Sequence, residues 1–254
     1  MTTLSRLWHA VIALIVLGSL VIQIIIAVEA PSQPPGHEVG LLAGAPLAER
    51  IVRVFSFFTI QSNILCGIVA ATLVVNPDRD GPLWRPVRVA AVFGITVTGI
   101  VYATILAAIH TPVGWMQVWS NAGFHYVVPV MTLVGWLIFG PRPRVDRRTI
   151  ALAMLWPIIW TGYTLLRGAA TQWYPYPFID VAAHGYSGVA INIVAILLGG
   201  LVLIGIMAAL DRALPATGVR SAATSSAAPG TTPSAHRRST RHEQDDPDQP
   251  ATAR

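Results

Sequence analysis

The sequence predicts an all-α membrane protein that crosses the bilayer six times. Of its 254 residues, 54% are hydrophobic and only 11% are charged, whereas soluble domains carry about 25% charged residues. The mean hydropathy is +0.59. The apolar residues are concentrated in six segments, each close to the roughly 20 residues that a spanning helix needs. These observations exclude a soluble globular protein.

Helix-breaking stretches separate the six segments. The predicted spans cover about residues 7–28, 51–75, 87–109, 119–139, 150–168 and 184–210. Stretches such as "EAPSQPPGHE" and "NPDRDGPLWRP" follow them, and proline ends a helix because it lacks the backbone N–H. The first span has Arg6 before it and "VEA" after it, as a secretory signal peptide would. Its apolar run is longer than the about 7–15 residues of a signal peptide, so we interpret it as a helix.

The composition changes at Ala216, where Ala, Ser, Thr, Pro, Arg and Asp replace the apolar residues. A segment of this kind cannot bury an apolar core. We therefore expect a six-helix transmembrane domain over residues 1–215 and a disordered cytoplasmic tail over residues 216–254.

The arginines predict the orientation, since every basic residue in the chain is Arg. With the N-terminus inside, the cytoplasmic side holds ten of them, namely Arg6, Arg79, Arg85, Arg88, Arg142, Arg144, Arg147, Arg148, Arg212 and Arg220. The outer side holds only Arg50, Arg53 and Arg167. Because cytoplasmic loops collect basic residues, we expect a multi-pass protein of the cell membrane with both termini in the cytoplasm. This placement explains the basic pI without a nucleic-acid partner.

Polar side chains gather in the outer halves of the predicted spans. At 1.5 Å per residue, Thr59 lies roughly 12 Å and His125 roughly 9 Å below the outer ends of their spans. Asn121 shares a helical face with His125 because the two are four residues apart. One face of the second span carries Ser56, Thr59, Ser62, Asn63 and Cys66. Polar groups facing lipid would lack partners at several kcal/mol each, so we expect these faces to meet in a polar pocket.

The polar residues differ in what they predict. Ser56 and Ser62 fit the hydroxyls that join membrane helices. An ionisable residue inside a span is a functional candidate by default, which singles out His125. Trp173 and Tyr174 are interpreted, with Trp115 and Trp119, as an outer aromatic belt.

Three segments resemble those of a known family. "FSFFTIQSNIL", "SNAGFHYVVPV" and "QWYPYPFIDVAAHG" are similar, in this order, to segments of the androgen-induced and androgen-dependent membrane proteins. The resemblance covers about residues 5–210, and many bacterial membrane proteins carry a similar pattern. The animal members of that family are threonine hydrolases of fatty acid esters of hydroxy fatty acids. The resemblance implies that Thr59 is the nucleophile and that His125 is the essential histidine. The run "IQSN" after Thr59 is more polar here, and the spacing to His125 is shorter.

A hydrolase of this kind needs a base and donors for an oxyanion. A histidine such as His125 suits the base at neutral pH. We expect the oxyanion donors among Asn63, Asn121 and Gln61, and we expect His184 and Tyr163 in the same pocket. His184 or Asp180 is a candidate to orient His125, as the third member of a triad does. The expected partner is a lipid or fatty-acid ester in the membrane, with no metal and no cofactor.

Two other functions fit the same sequence. A polar outer pocket over an apolar floor would suit a transporter or lipid-binding protein without chemistry. Alternatively, His125 and His184 at similar depth would suit two axial ligands of a haem in a haem or quinone redox protein.

Overall fold

The structure confirms the all-α, multi-pass fold. In this computed structural model, residues 2–30, 42–142 and 144–215 are described, and the predicted tail at 216–254 lies outside them. Within that part of the chain, six helices are long and apolar enough to cross a membrane. They span Thr3–Glu29, Phe58–Val75, Trp84–Leu106, Gly114–Phe139, Arg147–Thr171 and Val181–Ala213.

The individual helices follow in chain order. They are α1 (Thr2–Glu29), α2 (Leu47–Ser56), α3 (Phe58–Val75), α4 (Trp84–Val101), α5 (Gly114–Ala122), α6 (Val128–Phe139), α7 (Arg147–Thr171) and α8 (Val181–Ala213). A π-helical turn at Tyr102–Leu106 extends α4, and another at Gly123–Val127 joins α5 to α6. A short 3₁₀ turn at Pro177–Ile179 precedes α8.

The predicted start of the second span was wrong. A continuous helix was predicted over 51–75, but the chain breaks at Phe57, whose φ of −68° and ψ of 132° are extended. The residues before the break form the separate helix α2, which contains Glu49, Arg50 and Arg53. Thr59 therefore lies in the first turn of α3 rather than roughly 12 Å inside a longer helix.

Helix caps explain why the last two spans begin three residues earlier than predicted. The Asp146 carboxylate accepts a hydrogen bond from the Thr149 N–H at 2.7 Å and so starts α7 at Arg147. The Asp180 carboxylate accepts from the Ala182 and Ala183 N–H groups and starts α8 at Val181. Such caps satisfy N–H groups that have no partner within the helix. Gly185, with a φ of 66°, then kinks α8 near its beginning.

The two middle helices, α3 and α4, carry most of the buried surface. About half of the residues in their most apolar stretches are buried, whereas most of those in α1 and α8 are exposed, as expected for outer helices in lipid. One apolar cluster joins α4, α6, α7 and α8 through residues such as Phe93, Trp136 and Met207. A second cluster joins α1, α3 and α4 through Val16, Leu73 and Ile95.

The segment that links α7 to α8, residues 172–180, folds back onto the start of α3. We call it the aromatic loop. Trp173 and Tyr174 are only 8% and 4% exposed, so the interpretation of these two as an outer belt was wrong. Trp115 and Trp119 are each 66% exposed and remain available for such a belt. The loop buries its rings because they pack on Phe57, Phe58 and Trp160.

Candidate active site

Thr59 and His125 come into contact at the start of α3. The Thr59 Oγ1 lies 3.4 Å from the His125 Nε2. The break at Phe57 places Thr59 in the first turn of α3, and the π-helical turn at Gly123–Val127 places His125 opposite it. Such π-helical turns occur frequently at functional sites. Thr59 is only 7% exposed, whereas His125 is half-buried.

Two neighbours fix the His125 ring. Its Nδ1 lies 3.3 Å from the Asn121 backbone carbonyl oxygen, one turn earlier. Its face stacks on Tyr102, with ring centroids 3.9 Å apart and planes 19° apart. A carbonyl oxygen only accepts, so Nδ1 must carry the proton. The Nε2 that faces Thr59 then has a free lone pair and accepts the threonine O–H.

A second hydroxyl, that of Tyr176 in the aromatic loop, lies against Thr59. The Tyr176 Oη is 3.2 Å from the Thr59 Oγ1 and accepts a hydrogen bond from the Thr59 N–H at 3.1 Å. The Thr59 O–H is directed to His125, so the Tyr176 O–H donates to the Thr59 oxygen. Burial raises the pKa of Tyr176 to about 12, which keeps the phenol protonated and able to donate.

The Tyr176 hydroxyl also caps α3. The first N–H groups of a helix have no partner within it, and Phe57, which precedes α3, offers no side-chain cap. The positive end of the α3 dipole therefore points at the space between Thr59 and Tyr176.

Asn63 holds the two halves of the site together. It is 0% exposed, and its Nδ2 donates to the Thr59 carbonyl at 2.9 Å and to the Phe124 carbonyl at 3.3 Å. Both amide protons are thus used on the backbones that carry Thr59 and His125. Asn63 therefore joins the two segments in this structure and has no proton left for an oxyanion.

The other predicted pocket residues lie in different places. Asn121 orients His125 through its backbone carbonyl. The Gln61 amide donates to the Phe55 carbonyl and accepts from Trp156 at 3.4 Å. Gln61 is two residues after Thr59 in a helix and therefore points to the opposite side.

Tyr163, His184 and Asp180 have partners other than Thr59 and His125. The Tyr163 hydroxyl donates to the Ser56 Oγ at 2.8 Å, because that Oγ already donates to the Val52 carbonyl. His184 is exposed, and within the described ranges its side chain has no hydrogen-bond partner. Asp180 caps α8. The structure thus orients His125 through Asn121 and Tyr102 rather than through His184 or Asp180.

Charged and aromatic contacts hold the aromatic loop in place. The Arg53 and Arg167 guanidinium groups lie 5.3 and 4.8 Å from the ring centroid of Trp173. Both arginines also pair with Glu49, at 3.0 and 2.5 Å. Gly168 lets the loop approach α7, because a Cβ there would lie 1.9 Å from the Tyr174 ring. These contacts set the position of Tyr176 over Thr59.

Sequence reasoning missed Tyr176. The segment "QWYPYPFIDVAAHG" contains it and is one of the three that carry the resemblance. Its aromatic residues were interpreted through the interfacial preference of Trp and Tyr. The closely spaced prolines at 175 and 177 were the available signal for a compact loop.

The geometry also bears on the haem alternative. Both ring nitrogens of His125 lie within hydrogen-bonding distance of protein atoms, so an iron at Nε2 would have to displace the Thr59 hydroxyl.

No family model, curated protein or solved structure matches this chain.

Proposed function

We propose that this membrane protein is a hydrolase of lipid or fatty-acid esters, with Thr59 as the nucleophile and His125 as the base. One observation carries the proposal. The Thr59 hydroxyl meets the unprotonated nitrogen of a histidine whose other nitrogen is held by a backbone carbonyl. A weak hydroxyl nucleophile needs such a base, and the base needs such an orienting group.

The first half of the reaction forms an acyl-enzyme. The Thr59 oxygen attacks the ester carbonyl carbon while its proton moves to the His125 Nε2. The tetrahedral intermediate collapses by breaking the carbon–oxygen bond of the ester, and the leaving alcohol takes the proton from His125. Water then attacks the acyl-threonine while His125 takes its proton. The second intermediate collapses by breaking the bond to the Thr59 oxygen, which takes the proton from His125, so the products are a carboxylic acid and free Thr59.

The negative charge of the tetrahedral intermediate needs preorganised donors. The Tyr176 hydroxyl is buried and protonated and lies 3.2 Å from the attacking oxygen. The N-terminus of α3 adds its positive dipole at the same point. We assign the oxyanion to these two groups, because the Tyr176 O–H can turn from the Thr59 oxygen to the substrate oxygen as Thr59 attacks, whereas the Asn63 amide protons stay on backbone carbonyls.

The substrate class follows from the surroundings of the site. Thr59 is buried beneath the aromatic loop, whereas His125 is only half-buried. The neighbouring Tyr126 and Val127 are exposed on a spanning segment, where the solvent is lipid. An ester carried by a membrane lipid would therefore reach Thr59 from the bilayer side, past His125. The resemblance to the threonine hydrolases points to the same class.

Covalent labelling tests the proposal directly. The purified full-length protein is treated with a fluorophosphonate probe and compared with Thr59→Ala and Ser62→Ala. Ser62 is the matched control, because it is a fully buried hydroxyl one turn away that donates to the Phe58 carbonyl at 2.7 Å. We expect labelling in the wild type and in Ser62→Ala, and none in Thr59→Ala. In parallel, the wild type and Ser62→Ala should hydrolyse lipids from a panel of esters, whereas Thr59→Ala should not.

The competing function makes the opposite prediction. A transporter or lipid-binding protein would bind ester lipids without cleaving them, and Thr59→Ala would leave that binding intact. Hydrolysis that persists in Thr59→Ala above a tenth of the wild-type rate would exclude Thr59 as the nucleophile. Unlabelled wild-type protein that hydrolyses no lipid of the panel would favour the lipid-binding function.

We also propose that the Thr59 site lies towards the outer leaflet, with both termini in the cytoplasm. The ten-to-three distribution of arginines supports this orientation. A reporter that works only in the cytoplasm should be active when it is fused after Arg220, which lies outside the described residues. A periplasmic reporter that is active at that position would reverse the orientation.

A further inference from the structure

We propose that the end of the bundle opposite Thr59 carries a binding site for the phosphate of an anionic phospholipid. This arginine end consists of the loop 76–83, the residues that follow α6 and the last turns of α8. A pocket there is lined by four arginines and two tryptophans among other residues. They are Arg79, Arg85, Arg88, Arg144, Trp84 and Trp136.

The charges around this pocket do not cancel. Arg142 follows the lining residue Pro141, so this end holds five arginines near the pocket and four acidic residues, namely Asp78, Asp80, Asp146 and Asp211. Asp80 pairs with Arg85 at 2.7 and 2.8 Å and with Arg144 at 2.5 Å. Asp211 accepts from the N–H groups of residues 144 and 145, and Asp146 caps α7. The excess of positive charge at a helix-bundle end suits a phosphate.

Part of the basic cluster has a structural role. Arg88 donates to the Gly140 carbonyl, and Arg142 donates to the Trp136 and Leu137 carbonyls at 2.8 Å. These two side chains satisfy the carbonyl groups left open at the end of α6. Arg85 and Arg144 hold Asp80. Helix capping and ion pairing thus account for four of the five arginines.

Arg79 and Trp84 are not accounted for in this way. The Arg79 guanidinium lies 4.6 Å from the ring centroid of Trp84, on the rim of the pocket. The Trp84 Nε1 is buried and has no hydrogen-bond partner within the described residues. A buried N–H without a partner costs about 1–3 kcal/mol. A phosphate oxygen in the pocket would accept from both groups.

The position of the pocket favours a lipid over a free anion. Arg85 and Arg88 of its lining lie at the start of α4, and Trp136 lies in the last turn of α6, and both helices belong to spanning segments. The ends of spanning helices lie at the level of the lipid headgroups in a bilayer. A phospholipid would therefore present its phosphate to the pocket while its acyl chains remain in the bilayer.

Thermal stability in detergent tests the site. The full-length protein in maltoside micelles is titrated with dioleoylphosphatidylglycerol, with dioleoylphosphatidylcholine or with sodium phosphate. A ligand that binds only the folded state raises Tm in a saturable way. We expect a saturable rise with phosphatidylglycerol and little change with the other two. Because the two lipids share their acyl chains, the difference reports the headgroup.

Three variants locate the binding. Arg79→Gln should raise the phosphatidylglycerol concentration for half of the full Tm rise by about fivefold. Trp84→Phe, which keeps an aromatic ring but removes the indole N–H, should also weaken binding. Arg148→Gln is the matched control, since Arg148 is an exposed arginine at the same end outside the pocket. It should leave the titration unchanged.

The other outcomes would overturn the proposal. An equal Tm rise with sodium phosphate means a site for free anions. An equal rise with phosphatidylcholine, or no rise with phosphatidylglycerol, means no recognition of an anionic headgroup. A phosphatidylglycerol titration that is unchanged in both Arg79→Gln and Trp84→Phe places any binding elsewhere.

Discussion

The two ends of the bundle bury polar groups in different ways. At the threonine end, formed by the start of α3, the π-helical turn at 123–127 and the aromatic loop, neutral groups make a directed chain. It runs from the Tyr176 hydroxyl through Thr59 to His125 and the Asn121 carbonyl. At the arginine end, ions pair with Asp80 or cap α6. The ion pairs hold helix ends together, whereas the neutral chain is the arrangement that the proposed proton transfer requires.

This difference has a consequence for mutations. Proton transfer depends on the position of each member of the chain, since a base must lie within hydrogen-bonding reach of its proton. Ion pairs at an exposed helix end contribute little individually. We therefore expect substitutions at the threonine end to reduce hydrolysis far more than stability. Substitutions at the arginine end should weaken lipid binding, with small individual effects on stability.

The largest effect should come from the reacting pair. Thr59→Ala and His125→Ala should each abolish hydrolysis, and the double variant should be little slower than either, because a cooperating pair acts as a unit. Thr59→Ser keeps the hydroxyl and should retain part of the rate. Initial rates on an ester lipid measure all four. The folded state should survive, and Tm checks this.

Tyr176→Phe should have the next largest effect. Loss of one oxyanion donor costs about 10²–10³ in kcat in other enzymes, and we expect a decrease of that size with little change in KM. Tyr163→Phe is the matched control, because Tyr163 also donates to a hydroxyl, that of Ser56. It should leave kcat unchanged. Equal losses in the two variants would mean that Tyr176 acts only through packing.

A change in α7 should move the aromatic loop without touching the reacting groups. Gly168→Ala places a methyl group 1.9 Å from the Tyr174 ring, so the loop must shift. We expect a loss of stability of about 1–3 kcal/mol and a lower kcat, since Tyr176 moves with the loop. Gly162→Ala, in the same helix with nothing within 4 Å of the added Cβ, should be neutral or slightly stabilising. An unchanged kcat in Gly168→Ala would contradict the role of the loop.

The sequence predicted more of the fold than of the site. Hydropathy located all six spans, because about 20 apolar residues leave few alternatives in a membrane. It did not reveal the break at Phe57, since local propensity is similar on both sides of that residue. The resemblance singled out Thr59 and His125, depth placed them at a similar level, and the structure brings them into contact.

The remaining site residues depend on tertiary contacts. Tyr176 reaches Thr59 because the aromatic loop packs on Phe57 and is held by Arg53 and Arg167. The contacts of Tyr176 with Phe57 and of Trp173 with Arg53 join residues more than 100 positions apart, which composition and periodicity do not report. His184 was grouped with the pocket by depth alone, whereas the Gly185 kink leaves it exposed.

The smallest expected effect is a difference between the two ends in pH dependence of stability. The Arg85 hydrogen bonds, helped by the charge of Arg144, hold the pKa of Asp80 well below its ordinary value. That stabilisation is present above about pH 4 and is lost as the pH falls. Burial raises the pKa of Tyr176 to about 12. Its stabilisation is present below about pH 10 and is lost as the pH rises towards 12.

Tm measured in detergent at acid, neutral and alkaline pH should therefore separate the two ends. Asp80→Asn should reduce the fall in Tm at low pH, and only in part, because Glu49 and Asp146 also have lowered pKa values. Tyr176→Phe should reduce the fall in Tm between about pH 10 and 12, which corresponds to at most about 3 kcal/mol in the free energy of unfolding. Asp80→Asn should leave the fall in Tm at alkaline pH unchanged, and Tyr176→Phe should leave the fall at acid pH unchanged, because Asp80 and Tyr176 lie at opposite ends of the bundle. If Tyr176→Phe left the alkaline limb unchanged, Tyr176 would not be buried as a neutral phenol against Thr59. The assignment of its hydroxyl as the oxyanion donor would then lose its basis.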